Sequence, residues 1–278
     1  MNEHFFEERG IAYRTNAFKP ARPTLVFIHG LSGSSSAWAL YEKHFELSYN
    51  ILTYDIRGHG LSQRPPHLRD YALSSYIEDL DRLLRHCNIT TCVLIAHSFA
   101  TLFAIEYVAR NSQVASACVL ISPAVQTGRR FAERVLKIAL ALSPVLQYFP
   151  LPMPRGGRVD YVRYQQRSEY DIVAISRDLR TTGFRMYCYA AFNMLGLDVR
   201  NKLLMLQMPL LLIHGTRDGY FPFENSEIIR TILPHAQLVA IEGADHILVH
   251  NYIPQLCAAI DTFLAAHHMT GNPPKSSF

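Results

Sequence analysis

Apolar residues recur along this chain in short unbroken runs, separated by stretches in which they fall three and four positions apart. The runs lie near residues 24–29, 50–54, 92–96, 117–121, 210–214 and 236–241, and their branched side chains favour strands. Ahead of them, residues around Arg9-Gly10 read as the turn of an N-terminal hairpin. Between the runs the spacing is helical. Leu73–Cys87 sets Tyr76, Ile77, Leu80, Leu83 and Leu84 on one face, and Ala100–Arg110 follows the run at 92–96. A last helix is expected from His250 to about Ala266.

Unbroken apolar strands alternating with helices imply an α/β fold, a mostly parallel central sheet with helices on both faces. The alternation stops after Ile121 and resumes at Leu210. Residues 123–208 are therefore expected to form a helical cap on a core made of 1–122 and 209–269, with 270–278 a flexible tail rich in Gly, Pro and Ser. A chain of 278 residues, 49% hydrophobic and 18% charged, is long enough to bury a large core, and it shows no internal repeat.

Charge divides unevenly across this plan. The net charge is +4, yet the interval Pro123–Met208 holds 13 Lys and Arg against 6 Asp and Glu, so the remainder is slightly acidic. A basic start at 129–137 leads into an apolar stretch at 138–153, which is too short and too broken by proline to span a bilayer. It suits a cap helix packed over the site with solvated arginines, with peripheral membrane contact or an acyl-pocket lining as the other readings. The aromatics follow no nucleic-acid module, so no nucleic-acid partner is expected. The acidic N-terminus does not read as a secretory signal. Five cysteines, an odd number lying mostly in predicted elements, suit buried thiols in a reducing compartment, and a cytoplasmic location is expected. Oligomeric state is not legible.

Candidate chemistry gathers at the ends of the apolar runs. In Cys92-Val93-Leu94-Ile95-Ala96-His97-Ser98-Phe99-Ala100 a strand breaks at a serine and resumes as a helix. Such a turn holds the hydroxyl clear of the sheet as a nucleophile. A serine needs a base, an orienting carboxylate and oxyanion donors. The run at 210–214 ends in a turn carrying Asp218, and the run at 236–241 ends in a loop carrying His246. Asp218-Gly219 is also an ordinary turn pair. After the strand ending at Ile121, Ser122-Pro123-Ala124 offers no competing carboxylate.

The strand at 24–29 delivers His29-Gly30, whose glycine allows close backbone approach. The oxyanion donors are assigned to the backbone N–H groups of Leu31 and Phe99. His29 and His97 are expected as hydrogen-bonded supports. His250, four residues after His246, is expected at a helix end, with a role behind His246 as the alternative. The thirteen histidines show no convincing metal-ligand set, so neither metal nor cofactor is expected.

Taken together, these pieces resemble the α/β-hydrolase superfamily, in its branch of small cap-bearing esterases, lipases and lactonases. The likeness covers nearly the whole chain and includes Asp55-Ile56-Arg57-Gly58-His59-Gly60-Leu61-Ser62 and Trp38. The chain departs from the pattern at Ala96 and Ala100, which replace both glycines of the usual elbow. The resemblance implies a serine hydrolase that cleaves an ester, lactone or thioester of a hydrophobic or acyl-bearing small molecule through an acyl-enzyme. Acyl transfer and C–C bond hydrolysis use the same groups, and some proteins of this build are ligand receptors. Dehalogenases and epoxide hydrolases carry an aspartate where this chain has Ser98.

Overall fold

The architecture comes from a computed structural model that describes residues 1–31, 33–127 and 157–270. Strands β1 (Asn2–Phe6) and β2 (Ile11–Thr15) form the N-terminal hairpin. They are followed by β3 (Thr24–Ile28), β4 (Asn50–Tyr54), β5 (Cys92–His97), β6 (Ala115–Ile121), β7 (Leu210–Gly215) and β8 (Gln237–Ile241). All eight join one sheet in the order β1-β2-β4-β3-β5-β6-β7-β8. The pairings of β1 with β2 and of β2 with β4 are antiparallel, and the others are parallel.

Two apolar layers explain the sheet. Every residue of β5 is buried, because helices cover both faces. Leu94 and Ala96 point toward α2 (Leu73–His86) and α3 (Ala100–Arg110), joining Leu80, Leu83 and Phe103. Val93 and Ile95 point the other way, joining Trp38, Phe45 of α1 (Ala39–Phe45) and Ile260 and Phe263 near the C-terminus. Each fully buried side chain of this size contributes about 1.5–3 kcal/mol.

In the described residues between β6 and β7 lie α4 (Ile172–Thr182), α5 (Phe184–Met194) and α6 (Arg200–Leu203). The chain leaves the core and returns through paired backbone, with Thr127 N–H on Leu197 C=O and Val199 N–H on Val125 C=O, both at 2.9 Å. The basic run 129–137 and the apolar stretch 138–153 lie outside the described residues, as does 271–278 of the expected tail. Several described basic residues of this interval meet carboxylates: Arg158 with Asp55, Arg163 with Asp160, Arg167 with Asp171, Arg177 with Asp178, Arg200 with Asp198. Of these five, only Arg158 meets a carboxylate from outside the interval.

After β7 come α7 (Glu224–Ile232), β8, and two helices where one was expected from His250. Helix α8 (Leu248–Asn251) ends before Tyr252, whose φ of −122° breaks the helix, and α9 (Ile253–Ala266) begins beyond it. The cause is Pro254. In one continuous helix its missing N–H would orphan the His250 carbonyl and its ring would clash there, whereas the first turn of a new helix accepts proline freely. All five cysteines are free thiols, four of them buried. Among the described residues no helix is long and apolar enough to cross a membrane.

Candidate active site

The strand register brings the candidate loops to one edge. Ile28 pairs with Ala96, Ile121 with both His97 and Ile213, and Gly215 with Ile241, so the loops after β3, β5, β6, β7 and β8 all leave on the carboxyl side. From β3 the chain runs to β4 on one side, and from β5 it runs to β6 on the other. The crevice between them is the switch point where open α/β sheets hold ligands.

Ser98 occupies the turn between β5 and α3 with φ of 57°, a left-handed conformation that costs a non-glycine residue roughly 1–3 kcal/mol. Three hydrogen bonds hold it there. Its N–H bonds to Ile121 C=O at 2.9 Å, while Thr101 Oγ1 donates to the Ser98 carbonyl at 2.6 Å and accepts from Ala124 N–H at 3.0 Å. Ala96 and Ala100 are fully buried in the same apolar cluster, so the two extra methyl groups are absorbed by the core.

Ser98 Oγ lies 2.7 Å from His246 Nε2, and His246 Nδ1 lies 2.9 and 3.0 Å from the two oxygens of Asp218. Three residues from three strand ends thus form one hydrogen-bonded chain. Asp218 is also the turn residue the sequence suggested, since its Oδ1 accepts from Tyr220 N–H at 3.0 Å and Phe221 N–H at 2.8 Å. Burial alone would raise its carboxyl pKa. Hydrogen bonds from His214, His246 and the Phe221 N–H outweigh burial and hold the carboxyl far below its ordinary range. Asp218 is therefore an ionised acceptor, and His246 must carry its proton on Nδ1 to meet it. Nε2 is left as an acceptor for the Ser98 hydroxyl.

On the other side, Gly30 packs against the serine: a Cβ there would sit 3.0 Å from Ser98 Cβ. His29 Nε2 accepts from Ile56 N–H at 3.1 Å, so its Nδ1–H donates to Gly30 C=O at 2.8 Å. Gly33 N–H reaches the same carbonyl at 3.2 Å. With that carbonyl turned into the loop, the trans peptide directs the Leu31 N–H the opposite way. The Phe99 N–H stands at the start of α3, where a helix supplies no acceptor of its own and the dipole favours negative charge. Burial lowers the His29 pKa, keeping the ring neutral.

The remaining candidates divide. His97 donates from Nε2 to His246 C=O at 3.1 Å. His250 stacks on Tyr161 at 4.2 Å between ring centroids, and burial lowers its pKa to about 3. The Asp55–Ser62 loop is architectural. Asp55 accepts from Ser35 N–H, Leu61 N–H and Arg158 Nε, and Arg57 grips Asp79 with two bonds of 2.6 Å.

Sequence reasoning missed Thr101, His214 and Glu169. His214 Nε2 sits 3.3 Å from Asp218 Oδ2, and the His-Gly dipeptide ending β7, echoing that at 29–30, was an available signal. Glu169 accepts from His246 N–H at 2.7 Å, and no motif announces it.

A model of the alpha/beta hydrolase family matches residues 25–260. Among curated proteins, the chain is similar to a Haemophilus influenzae protein provisionally named an esterase/lipase, 27% identical over 87% of this chain and 83% of that protein. It is also similar to 3-oxoadipate enol-lactonase 2 of Acinetobacter baylyi, 25% identical over 81% of this chain and 82% of that protein. Among solved structures, the enol-lactonase of Burkholderia xenovorans superposes with a TM-score of 0.74 at 20% identity, covering 92% of this chain and 96% of that one. That likeness concerns the fold.

Proposed function

The chain belongs to the alpha/beta hydrolase family, and on that premise we propose that it hydrolyses carboxylic esters or lactones of small molecules through an acyl-serine at Ser98. The observation that carries the reading is the continuous path Ser98 Oγ, His246 Nε2, His246 Nδ1, Asp218. As Ser98 Oγ attacks the substrate carbonyl, His246 Nε2 takes its proton and Asp218 stabilises the resulting imidazolium. The negative oxygen of the tetrahedral intermediate is received by the N–H groups of Leu31 and Phe99, already oriented before substrate arrives. His246 then returns the proton to the leaving alkoxide. Water, deprotonated by the same ring, attacks the acyl-serine and releases the acid.

The names of the relatives, an enol-lactonase and an esterase/lipase, support an ester-type bond. Ser98 fits such chemistry because its hydroxyl already donates toward a base whose other nitrogen is held by an ionised carboxylate.

Turnover of p-nitrophenyl esters and of small lactones by the intact protein and by Ser98→Ala tests the proposal. The variant should lose on the order of 10³-fold or more in kcat, and a fluorophosphonate should label only the intact serine. Undiminished turnover by Ser98→Ala would overturn it.

A further inference from the structure

One buried carboxylate from the β6–β7 interval reaches the main chain of the two loops that carry His246 and Asp218. Glu169 is only 4% exposed by side chain and main chain together. Its Oε2 accepts from His246 N–H at 2.7 Å, and its Oε1 accepts from Gly219 N–H, next to Asp218, at 3.0 Å. The contact is reciprocal. Asp245 Oδ2 accepts from Glu169 N–H at 3.0 Å, while Asp245 Oδ1 accepts from Ile247 N–H at 3.1 Å. Tyr220 Oη adds a bond to the Glu169 carbonyl at 3.4 Å.

Gly219 shows that the approach is built in. Its φ is not left-handed, so the turn does not demand glycine at this position. A Cβ at 219 would instead overlap Glu169 Oε1 and Tyr170 Oη. The missing side chain is what admits the carboxylate to the Gly219 N–H.

We infer that Glu169 is a positioning residue for the reaction, setting the distance and angle between His246 and Asp218 by holding the peptide groups of both loops on one rigid carboxylate. The inference rests on the reading of Ser98, His246 and Asp218 given above. His246 is then fixed at each end of its own residue, with its N–H on Glu169 and its carbonyl on His97. Its ring has little freedom to rotate away from Ser98, and proton transfer is steep in such geometry. The consequence reaches further than a brace. The segment between β6 and β7 thus completes the alignment of the site, so a displacement of the part carrying Glu169 would slacken the base without touching Ser98.

Glu169→Ala, Glu169→Gln and Gly219→Ala, each compared with the intact protein, test this on p-nitrophenyl butyrate, with kcat expressed per serine titrated by a fluorophosphonate. The expected result is a 10- to 100-fold fall in kcat with KM changed less than about threefold. Glu169→Asp should stay below the intact protein, because the shorter stem cannot span both N–H groups. Gly219→Ala should match the loss, and the double variant Glu169→Ala/Gly219→Ala should be no worse than the poorer single, since both remove one contact. Should Glu169→Ala fail to fold, Glu169→Gln and Gly219→Ala carry the same comparison at near-native volume. Unchanged kcat per titrated serine, with only the melting temperature lowered, would overturn the inference. Ser98→Ala run alongside separates the two claims: its full activity would remove the reading beneath, whereas its inactivity beside a fully active Glu169→Gln would remove this inference alone.

Discussion

His97 donates a hydrogen bond from Nε2 to the main-chain carbonyl of His246 at 3.1 Å, tying the end of β5 to the loop beyond β8. Burial holds the His97 pKa well below its ordinary value, so the ring stays neutral and its single proton is committed to that carbonyl. His97→Phe keeps an aromatic ring beside His246 but leaves the carbonyl without a donor. The variant should lose about 1–3 kcal/mol of stability and roughly tenfold in turnover, read by thermal melting and by kcat per titrated serine.

His29 bridges two peptides, accepting from Ile56 N–H and donating to Gly30 C=O. His29→Leu should free the Gly30–Leu31 peptide to rotate. Because a single oxyanion donor is worth about 10²- to 10³-fold in turnover, kcat should fall within that range. Labelling of Ser98 by a fluorophosphonate should slow as well, since that reaction also develops a charged oxygen. Unaltered labelling kinetics would contradict the role given to the Leu31 N–H.

Asp55 is fully buried, and Arg158 answers it at 2.9 Å from the segment between β6 and β7. Burial works to raise the Asp55 carboxyl, yet the Arg158 charge and the N–H groups of Leu61 and Ser35 hold it below the usual range. An acid depressed in the folded state contributes stability above its unfolded pKa, near 3.9, and loses it as pH falls through the folded value. Arg158→Met should therefore cost about 3–5 kcal/mol near pH 7 by leaving a buried charge unanswered, and progressively less below pH 4. Melts recorded from pH 3 to pH 8 measure that convergence.

Asp178 shows the opposite shift. Burial raises its pKa to about 6, with Arg177 offsetting part of the effect. An acid raised in the folded state contributes stability below its unfolded pKa and loses it as pH climbs through the folded one, so ionised Asp178 burdens the protein at pH 7. The melting temperature of Asp178→Asn relative to the intact chain should therefore be higher at pH 7.5 than at pH 5. A carboxyl NMR titration of the intact chain should find the Asp178 midpoint near 6.

Much of this molecule is legible in one dimension because its signals are local. A strand buried on both faces must be apolar throughout, so β5 through β7 announce themselves, and a helix with one buried stripe, such as α2, repeats at its own period. The loops carrying Ser98, Asp218 and His246 follow such strands directly, which makes them findable. The break at Tyr252 was missed although its cause, Pro254, stood in plain view, because a proline in the first turn of one helix is easily taken for a residue inside a longer one. Composition counts charges without their partners, so it could not show that Arg158 finds Asp55 more than a hundred positions away.

The order of chemical groups along the chain, their attachment to strand ends and the α/β class follow from the residues themselves, since backbone geometry and hydrophobic periodicity act over a few positions. Distance is another matter. The separation of 2.7 Å between Ser98 and His246, the orientation of the Gly30–Leu31 peptide and the reach of Glu169 across to Gly219 and His246 depend on strand register and on a segment returning over the sheet. Those are products of packing between residues remote in sequence. Glu169 illustrates the difference: along the chain it is one acid among arginines, and folded it lies on the backbone of the base.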